Sequence, residues 1–338
     1  MLITFQCPKC DTSLEIEADA AGAELECPTC KVMVTVPRKG PGPGVTIGGF
    51  RIEKPLGRGG MGEVYLARQL SMDRDVALKI LPGRLTLHKE IVERFLREVR
   101  MLAKLEHPNI VTAHEAGEDG GIYFMAMAYV NGDSLDIKLR REGPVPEKQA
   151  LQMILKIARA LAYAWDEHRL IHRDVKPANI MVDKQDKPRL MDLGLSKSLT
   201  QDVELTVSGG VVGTPNFMSP EQSKGGDVDF RSDMYSLGAT LYNMLTGQVP
   251  FAGNSIVEIL QKQATEALPD PRSFKPETSE ACVALLEIML DKNPAQRHGD
   301  WNTLIADIDR VLAGGVPTRE PLKQGESVLL RTQAAGED

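Results

Sequence analysis

Long hydrophobic runs are absent from this chain of 338 residues. The longest apolar stretch, residues 122–130, falls well short of the roughly 18 residues that a membrane helix needs. The N-terminus also lacks a basic segment followed by an apolar one, so no secretory signal is expected. Basic residues do not predominate, since the formal net charge is -7, which argues against a general nucleic-acid binder. We therefore expect a cytoplasmic protein with no membrane segment and no nucleic-acid partner.

Cysteine is scarce and unevenly distributed. Four of the five cysteines, Cys7, Cys10, Cys27 and Cys30, lie in the first thirty residues, while Cys282 stands alone in an apolar helical pattern and is interpreted as a small buried residue. The four form two C-x-x-C pairs separated by sixteen residues, a spacing that fits a tetrahedral four-cysteine zinc site. Two disulfides are the alternative, which a cytoplasmic location disfavours. A redox pair would need a βαβ context.

Composition divides the chain into four regions. Residues 1–37 combine strand-like stretches with the cysteine pairs, and residues 38–48 form a Gly- and Pro-rich linker. Residues 49–313 change from strand-rich to helical periodicity near Asn131, which predicts an α+β fold. Residues 314–338 are polar, and we expect a flexible tail. The predicted helices cover residues 89–105, 147–168, 232–245, 255–266, 279–290 and 301–312.

A glycine-rich segment lies early in the strand-rich region. It contains the pattern G-x-G-x-x-G, which is weak alone because several phosphate-binding folds share it. In dinucleotide-binding folds the glycines lead into a helix, whereas here Val64-Tyr65-Leu66-Ala67 is strand-like. The sequence therefore favours a hairpin whose backbone N–H groups cover nucleotide phosphates, with an ordinary glycine-rich turn as the alternative. The residues concerned are Leu56, Gly57, Gly59, Gly62 and Val64.

Lys79 ends an apolar strand-like stretch, which would place its ammonium in a cleft where it can bind phosphate oxygens. Glu98, on the apolar side of the predicted 89–105 helix near Phe95, is the best anionic partner. A solvated charge paired with Arg94 or Arg97 is the other interpretation of Glu98.

The densest group of chemically active residues is His172–Asn179, followed by Asp192. Asp174 can accept the proton of an attacking hydroxyl, and Lys176 can reach a transferring phosphoryl group. Asn179 and Asp192 supply oxygen ligands for Mg²⁺ or Mn²⁺. These residue types predict phosphoryl transfer, in which positioning and charge compensation carry most of the catalysis.

Taken in order, these motifs resemble those of a bacterial Hanks-type (eukaryotic-like) serine/threonine protein kinase. The resemblance covers about four-fifths of the chain, and it implies a bilobal kinase fold with a β-rich N-lobe and a mainly α C-lobe. It also implies an enzyme that uses ATP with Mg or Mn to phosphorylate protein Ser and Thr hydroxyls. The other matching motifs are His107-Pro108-Asn109-Ile110, Asp192-Leu193-Gly194, Gly213-Thr214-Pro215, Ser219-Pro220-Glu221, Asp233 and Arg297.

Further roles follow from the resemblance. Glu221 is expected to pair with Arg297, and Asp233 to brace the catalytic loop. The implied adenine-site residues are Ala77, Met127 as gatekeeper, and Ala128 to Val130 as hinge.

The departures from the family pattern remove no catalytic group. Leu193 replaces Phe, Ser219 replaces Ala, and Ala128 stands where related kinases often have Glu.

Residues 195–212 resemble an activation loop. Arg173 would provide a cation for a phosphorylated residue, so regulation by phosphorylation is expected. Thr206 and Ser208 are the expected acceptors, with Thr200 behind them.

The cysteine module resembles a zinc ribbon, although Asp11 and Lys31 occupy positions where glycine is often found. Asp tolerates a left-handed backbone more readily than Lys, so the sequence predicts the turn at Asp11 more strongly than the turn at Lys31. Residues 11–26 are acidic, which disfavours nucleic acid and favours protein docking or a purely structural role.

Two alternatives to an active protein kinase stand beside this interpretation. A pseudokinase scaffold is disfavoured because Lys79, Asp174, Asn179 and Asp192 are all present. A small-molecule phosphotransferase is disfavoured by the segment 213–221, which a peptide substrate needs for docking.

Overall fold

Two compact units make up the chain. The computed structural model describes residues 2–17, 23–35, 40–59, 62–86, 88–193, 215–318 and 329–330. The first unit comprises Met1–Ala103 and Ala113–Tyr129, and the second comprises Lys104–Thr112 and Val130–Asp338. Within the described ranges, no helix is both long enough and apolar enough to span a membrane.

Two short β-hairpins form the N-terminal module. Strand β1 (Leu2–Gln6) pairs antiparallel with β2 (Ser13–Glu17), and β3 (Glu24–Glu26) pairs antiparallel with β4 (Met33–Thr35). Each hairpin carries one C-x-x-C pair between its strands. Among the side chains that the structure describes in residues 5–17 and 23–35, the buried ones of this module are Cys7, Leu14, Cys27 and Val34. Such a small apolar core stabilises a fold weakly, so a metal cross-link is expected to contribute much of its stability.

A six-stranded antiparallel sheet forms most of the rest of the first unit. Its strands are β5 (Thr46–Ile47), β6 (Phe50–Gly59), β7 (Gly62–Gln69), β8 (Arg74–Ile80), β9 (Ala113–Asp119) and β10 (Ile122–Ala128), in the spatial order β5-β6-β7-β8-β10-β9. Alternate residues of these strands point to one face and pack together. The buried core on that face includes Phe50, Ile52, Tyr65, Ala67, Val76, Leu78, Ile80, Phe124 and Ala126.

Helices α1 (Gly83–Thr86) and α2 (Lys89–Leu102) lie between β8 and β9. The buried residues of α2 are Ile91, Val92, Phe95, Val99 and Leu102, which recur at helical spacing. The helix was predicted to reach Leu105 but ends at Leu102. Pro108 keeps the residue before it out of the helical region, so the chain leaves the helix ahead of this point.

The Gly- and Pro-rich segment that precedes β6 is hydrogen-bonded to that strand. The Gly44 N–H donates to the Ile52 carbonyl at 2.8 Å, and the Ile52 N–H donates to the Val45 carbonyl at 2.8 Å. The Tyr65 hydroxyl donates to the Glu63 carboxylate and lies 3.4 Å from the Pro41 carbonyl oxygen. Gly44 and Val45 of the predicted linker are therefore hydrogen-bonded to β6.

Helices dominate the second unit. They are α3 (Leu135–Glu142), α4 (Glu147–His168), α5 (Pro220–Ser223), α6 (Phe230–Thr246), α7 (Ile256–Thr265), α8 (Glu280–Met289) and α9 (Trp301–Leu312). Strands β11 (Gly132–Ser134), β12 (Ile180–Asp183) and β13 (Pro188–Leu190) form a small separate sheet. Helix α6 is buried along most of its length and packs against α4 and α8. The five helices predicted here match the observed bounds to within two residues, which confirms the α+β class.

Two described parts of the chain after α9 contact earlier elements of the second unit. The Thr318 N–H donates to the Asp307 carboxylate at 2.9 Å. Strand β14 (Leu268–Pro269) pairs in parallel with β15 (Leu329–Leu330). The rest of the predicted tail, residues 319–328 and 331–338, lies outside the described residues.

Candidate active site

A carboxylate on α6 holds the loop between α4 and β12. Asp233 is almost fully buried and accepts the N–H groups of His172 at 2.7 Å and of Arg173 at 2.8 Å. Burial raises the pKa of Asp233, and the two N–H bonds and neighbouring positive charge oppose that shift. The predicted bracing role is confirmed, because one side chain fixes two consecutive peptide groups.

His172 fixes the next peptide group and ties the loop to the segment before Asp192. Its Nδ1 accepts the Asp174 N–H at 3.2 Å, and its Nε2 lies 2.8 Å from the Met191 carbonyl. Because Nδ1 accepts a hydrogen bond, the neutral tautomer that satisfies both contacts carries its proton on Nε2. The imidazole is completely buried, so this arrangement is shielded from water.

Asp174, Lys176 and Asn179 come together around one carboxylate oxygen. The Lys176 ammonium lies 2.9 Å from Asp174 Oδ2, and the Asn179 amide nitrogen donates to the same oxygen at 2.8 Å. That nitrogen also donates to the Asp174 carbonyl at 2.8 Å. Both bonds use the nitrogen of the Asn179 amide, and its oxygen takes part in neither. An amide oxygen held in this way is a ligand type that Mg²⁺ accepts.

Asp192 lies directly after Met191, whose backbone is bonded on both sides. The Met191 N–H donates to the Asn179 carbonyl at 2.9 Å, and its carbonyl bonds His172 as described. Asp192 has a left-handed backbone with φ of 54°, which Asp adopts at lower cost than most residues. Asp192 is thus placed by the same network that places Asn179. Gly194 lies outside the described residues.

The glycine-rich segment is a β-hairpin. Strands β6 and β7 pair through Arg58 with Glu63 and through Gly59 with Gly62. Gly62 has φ of 133°, and a Cβ there would lie 2.1 Å from the Ile80 carbonyl oxygen. Only glycine fits this close approach. The strand that follows it excludes the strand-to-helix turn of a dinucleotide-binding fold.

One face of the first unit's sheet carries four of the predicted nucleotide-binding side chains. Lys79 is opposite Val64 on one neighbouring strand, and Ala77 is opposite Met127 on the other. Residues two apart on a strand and residues directly paired across strands share a face of the sheet. The side chains of all four therefore lie on the face that does not carry the apolar core. Lys79 is only 5 % exposed.

The other predicted nucleotide-binding residues are more dispersed. Leu56 is 42 % exposed on β6. Glu98 lies in α2, and its side chain is outside the described part of the structure. Ala128 ends β10, one residue out of phase with Met127, and Val130 is buried in the second unit.

Glu221 and Arg297 form a bidentate buried ion pair. The two guanidinium nitrogens donate to the two carboxylate oxygens at 2.7 and 2.8 Å. The guanidinium also donates to the carbonyls of Asp291 and Arg231 at 2.9 Å each. Although burial acts in the opposite direction, the Arg297 bonds lower the pKa of Glu221 to about 2. The predicted pairing is confirmed.

The four N-terminal cysteines form a second candidate site. All are free thiols, and their sulfurs lie within 4.8 Å of one another. The Sγ atoms of Cys7 and Cys30 are 3.6 Å apart, and those of Cys10 and Cys27 are 3.7 Å apart. A tetrahedral zinc site with Zn–S bonds of about 2.3 Å requires sulfurs about 3.8 Å apart. The donor set therefore fits zinc.

Both cysteine turns have the same backbone form. The Asp11 N–H donates to the Cys7 carbonyl and the Lys31 N–H to the Cys27 carbonyl, both at 2.9 Å. Asp11 has φ of 55° and Lys31 has φ of 59°. The Lys31 turn, which the sequence predicts less strongly, therefore has the same left-handed backbone as the Asp11 turn, because either residue forms the same cysteine-turn hydrogen bond.

Sequence reasoning missed the role of Ser219, which appeared only as a departure from Ala. Its side chain caps α5 through a reciprocal pair of bonds with Gln222. The pattern Ser-x-x-Gln before a helix is a known sequence signal for this cap. The predicted activation loop, with Thr200, Thr206 and Ser208, lies outside the described residues, as do Gly213 and Thr214.

Comparisons with known proteins identify the same type of domain. The family model described as protein kinase domain matches residues 50–307. The chain is 37% identical over 266 residues to serine/threonine-protein kinase PknB of Mycobacterium leprae (strain TN), covering 78% of this chain and 43% of that protein. It is 34% identical over 261 residues to serine/threonine-protein kinase PrkC of Bacillus subtilis (strain 168), covering 77% of this chain and 40% of that protein. The chain thus spans less than half the length of these relatives.

Solved structures show the same fold. A crystal structure of the PknI kinase domain of Mycobacterium tuberculosis matches with a TM-score of 0.65 and 29% sequence identity. The match covers 81% of this chain and 99% of that domain.

Proposed function

Because the chain belongs to the protein kinase family, we propose that it transfers the γ-phosphate of ATP to serine and threonine hydroxyls of proteins. The two curated relatives above carry the name serine/threonine-protein kinase. The observation that carries the proposal is the Asp174 carboxylate, held by Lys176 and Asn179 on a loop that Asp233 braces.

Asp174 orients the substrate hydroxyl and accepts its proton in this proposal. Among the described residues, both side-chain bonds to the carboxylate reach Oδ2, so Oδ1 is the oxygen available to the hydroxyl. Lys176, bonded to that carboxylate, is proposed to neutralise charge that develops on the transferred phosphoryl group.

ATP and its metal are assigned to the residues that the motifs indicate. Asn179 and Asp192 are the proposed ligands of Mg²⁺ or Mn²⁺, which supplies charge neutralisation at the phosphates when bound. Lys79 is proposed to bind phosphate oxygens with Glu98 as its partner. The remaining proposed nucleotide contacts are Leu56, Gly57, Gly59, Gly62, Val64, Ala77, Met127, Ala128 and Val130.

We expect the purified chain to incorporate radiolabelled γ-phosphate from ATP into itself or a protein substrate, on serine and threonine only. Phosphoamino-acid analysis identifies the acceptor hydroxyls, and omission of divalent cation is the control that should abolish incorporation. A chain that binds ATP but transfers no phosphate would instead be a pseudokinase scaffold.

Mass spectrometry of the same product tests the proposed regulation. We propose that Thr206 and Ser208, followed by Thr200, accept phosphate and that Arg173 pairs with it, because its exposed side chain lies beside Asp174. Phosphates found only in residues 38–48 or 314–338 would contradict this regulation.

We propose that the four N-terminal cysteines hold one zinc ion per chain. Metal analysis of purified protein is expected to give one zinc per chain, and Cys10→Ser should reduce that content strongly because three thiolates bind less tightly than four. Cys282→Ala is the matched control, since Cys282 lies in α8 and should leave zinc content unchanged. Recovery of the four thiols as two disulfides would exclude the metal site.

The zinc module is proposed to dock a protein or to have a purely structural role. Its acidic, exposed residues, such as Glu15 and Glu24, suit a basic protein surface better than nucleic acid. We also infer a cytoplasmic location, where ATP is available and thiols stay reduced.

A further inference from the structure

The short helix α5 begins with a buried capping box. The Ser219 hydroxyl accepts the Gln222 N–H at 3.3 Å, and the Gln222 side-chain oxygen accepts the Ser219 N–H at 3.0 Å. Ser219 is fully buried and Gln222 is 6 % exposed. These bonds satisfy two N–H groups that a helix start otherwise leaves without partners.

The same Gln222 amide reaches the catalytic loop. Its nitrogen donates to the Arg173 carbonyl at 2.9 Å, across 49 positions of sequence. The oxygen thus serves the helix while the nitrogen serves the loop. Reversing the amide would set oxygen against oxygen at one end and nitrogen against an N–H at the other, so the network determines this orientation.

The bonded carbonyl belongs to the peptide group that immediately precedes Asp174. The N–H of that peptide group is held by His172 Nδ1 at 3.2 Å, so Gln222 and His172 bind its two polar atoms from different directions. Arg173 itself has φ of 66°, a left-handed conformation that an arginine keeps only when its surroundings determine it. Rotation of this peptide group would move the start of Asp174.

We propose that Gln222 is a positioning residue for the phosphoryl-transfer reaction, acting by holding the Arg173 carbonyl and thereby the orientation of Asp174. The inference rests on the proposed kinase function. Misplacement of a catalytic group by about 1 Å can cost about 10²-fold in rate. Loss of the Gln222 donor is therefore expected to lower kcat by about 10–100-fold with KM for ATP unchanged.

Two substitutions separate positioning from helix capping. Gln222→Glu keeps the oxygen that caps α5 but replaces the donor nitrogen with a second oxygen, so kcat should fall. Ser219→Ala removes the capping hydroxyl and leaves the Gln222 bond to Arg173, so kcat should stay within about threefold while Tm drops by about 2–4 °C. Gln222→Met, which has no donor and no charge, should lower kcat as Gln222→Glu does.

Hydrogen–deuterium exchange supplies a readout that does not depend on catalysis. In the full chain, Gln222→Glu and Gln222→Met should speed exchange in the peptide containing residues 172–179 by at least severalfold, and Ser219→Ala should not. Unchanged exchange and unchanged kcat in both Gln222 variants would overturn the proposal, as would equal kcat losses in Ser219→Ala. An inactive parent chain would refute the kinase function, while the exchange comparison would still decide whether Gln222 holds the loop.

Discussion

Asp174→Asn is expected to lower kcat for phosphate transfer by about 10²–10⁴-fold while leaving the affinity for ATP nearly unchanged. The carboxamide cannot take up the proton of the substrate hydroxyl. It also brings an NH₂ donor to a position where Lys176 and Asn179 already supply donors. Because no atom proposed to contact the nucleotide is removed, the loss should fall on kcat. Steady-state kinetics and ATP titration measure the two quantities separately.

Asp166→Asn is the matched control for this substitution. It makes the same chemical change at an exposed position of α4 and should leave kcat unchanged. If Asp174→Asn weakened ATP binding as much as it slowed transfer, the loop would have lost its structure and Asp174 could not be assigned as the base.

Arg297→Met is expected to lower the free energy of unfolding of the second unit by about 3–5 kcal/mol. The substitution leaves the Glu221 carboxylate, whose side chain is 13 % exposed, without its bidentate partner. It also removes donors from the carbonyls of Asp291 and Arg231. Urea unfolding followed by tryptophan fluorescence measures this unit directly, since both tryptophans, Trp165 and Trp301, lie in its helices.

Arg159→Met is the control for a solvent-exposed ion pair. Arg159 lies 3.3 Å from Asp309, and both side chains are about half exposed, so the change should cost less than about 1 kcal/mol. Equal losses of unfolding free energy in the two variants would show that the buried Glu221–Arg297 pair stabilises the fold no more than the exposed Arg159–Asp309 pair. Replacing Glu221 and Arg297 together by Met should restore part of the stability, because no unpaired charge is left.

The effect of Arg297→Met should shrink in acid. Glu221 has a pKa of about 2 in the folded chain against an ordinary value of 4.5. A depressed carboxyl pKa contributes stability that is complete above about pH 4.5 and is lost as the pH falls towards 2. The difference between the parent chain and Arg297→Met should therefore be larger at pH 7 than near pH 3.

The parts of the site that lie close together in sequence could be predicted from it. Asp174, Lys176 and Asn179 fall within six residues, so a single tight loop brings them around one oxygen. Each C-x-x-C pair is likewise local. Residue type and spacing alone predicted that the two pairs come together in one site. The catalytic, metal-binding and nucleotide-binding roles of all these site residues stay predictions.

The contacts that the sequence alone did not reveal depend on tertiary packing. The bond from Gln222 to the Arg173 carbonyl joins a short helix to a loop that is distant in sequence. No sequence motif indicates that these two residues contact each other. Glu221 and Arg297 are 76 positions apart in sequence, and their pairing was expected only through family resemblance. The left-handed backbone at Lys31 arose from the geometry of the cysteine turn, against the residue's own preference.

The bonds that join Gly44 and Val45 to strand β6 shorten the tether of the zinc module. Chain length alone permits at most about 18 Å between Thr35, at the end of β4, and Gly40. A protein held by the zinc module, as proposed above, would therefore be confined near the sheet that carries the glycine-rich hairpin. Over so short a tether, the local concentration of a weakly bound partner, rather than its intrinsic affinity, would decide how often that partner contacts the sheet.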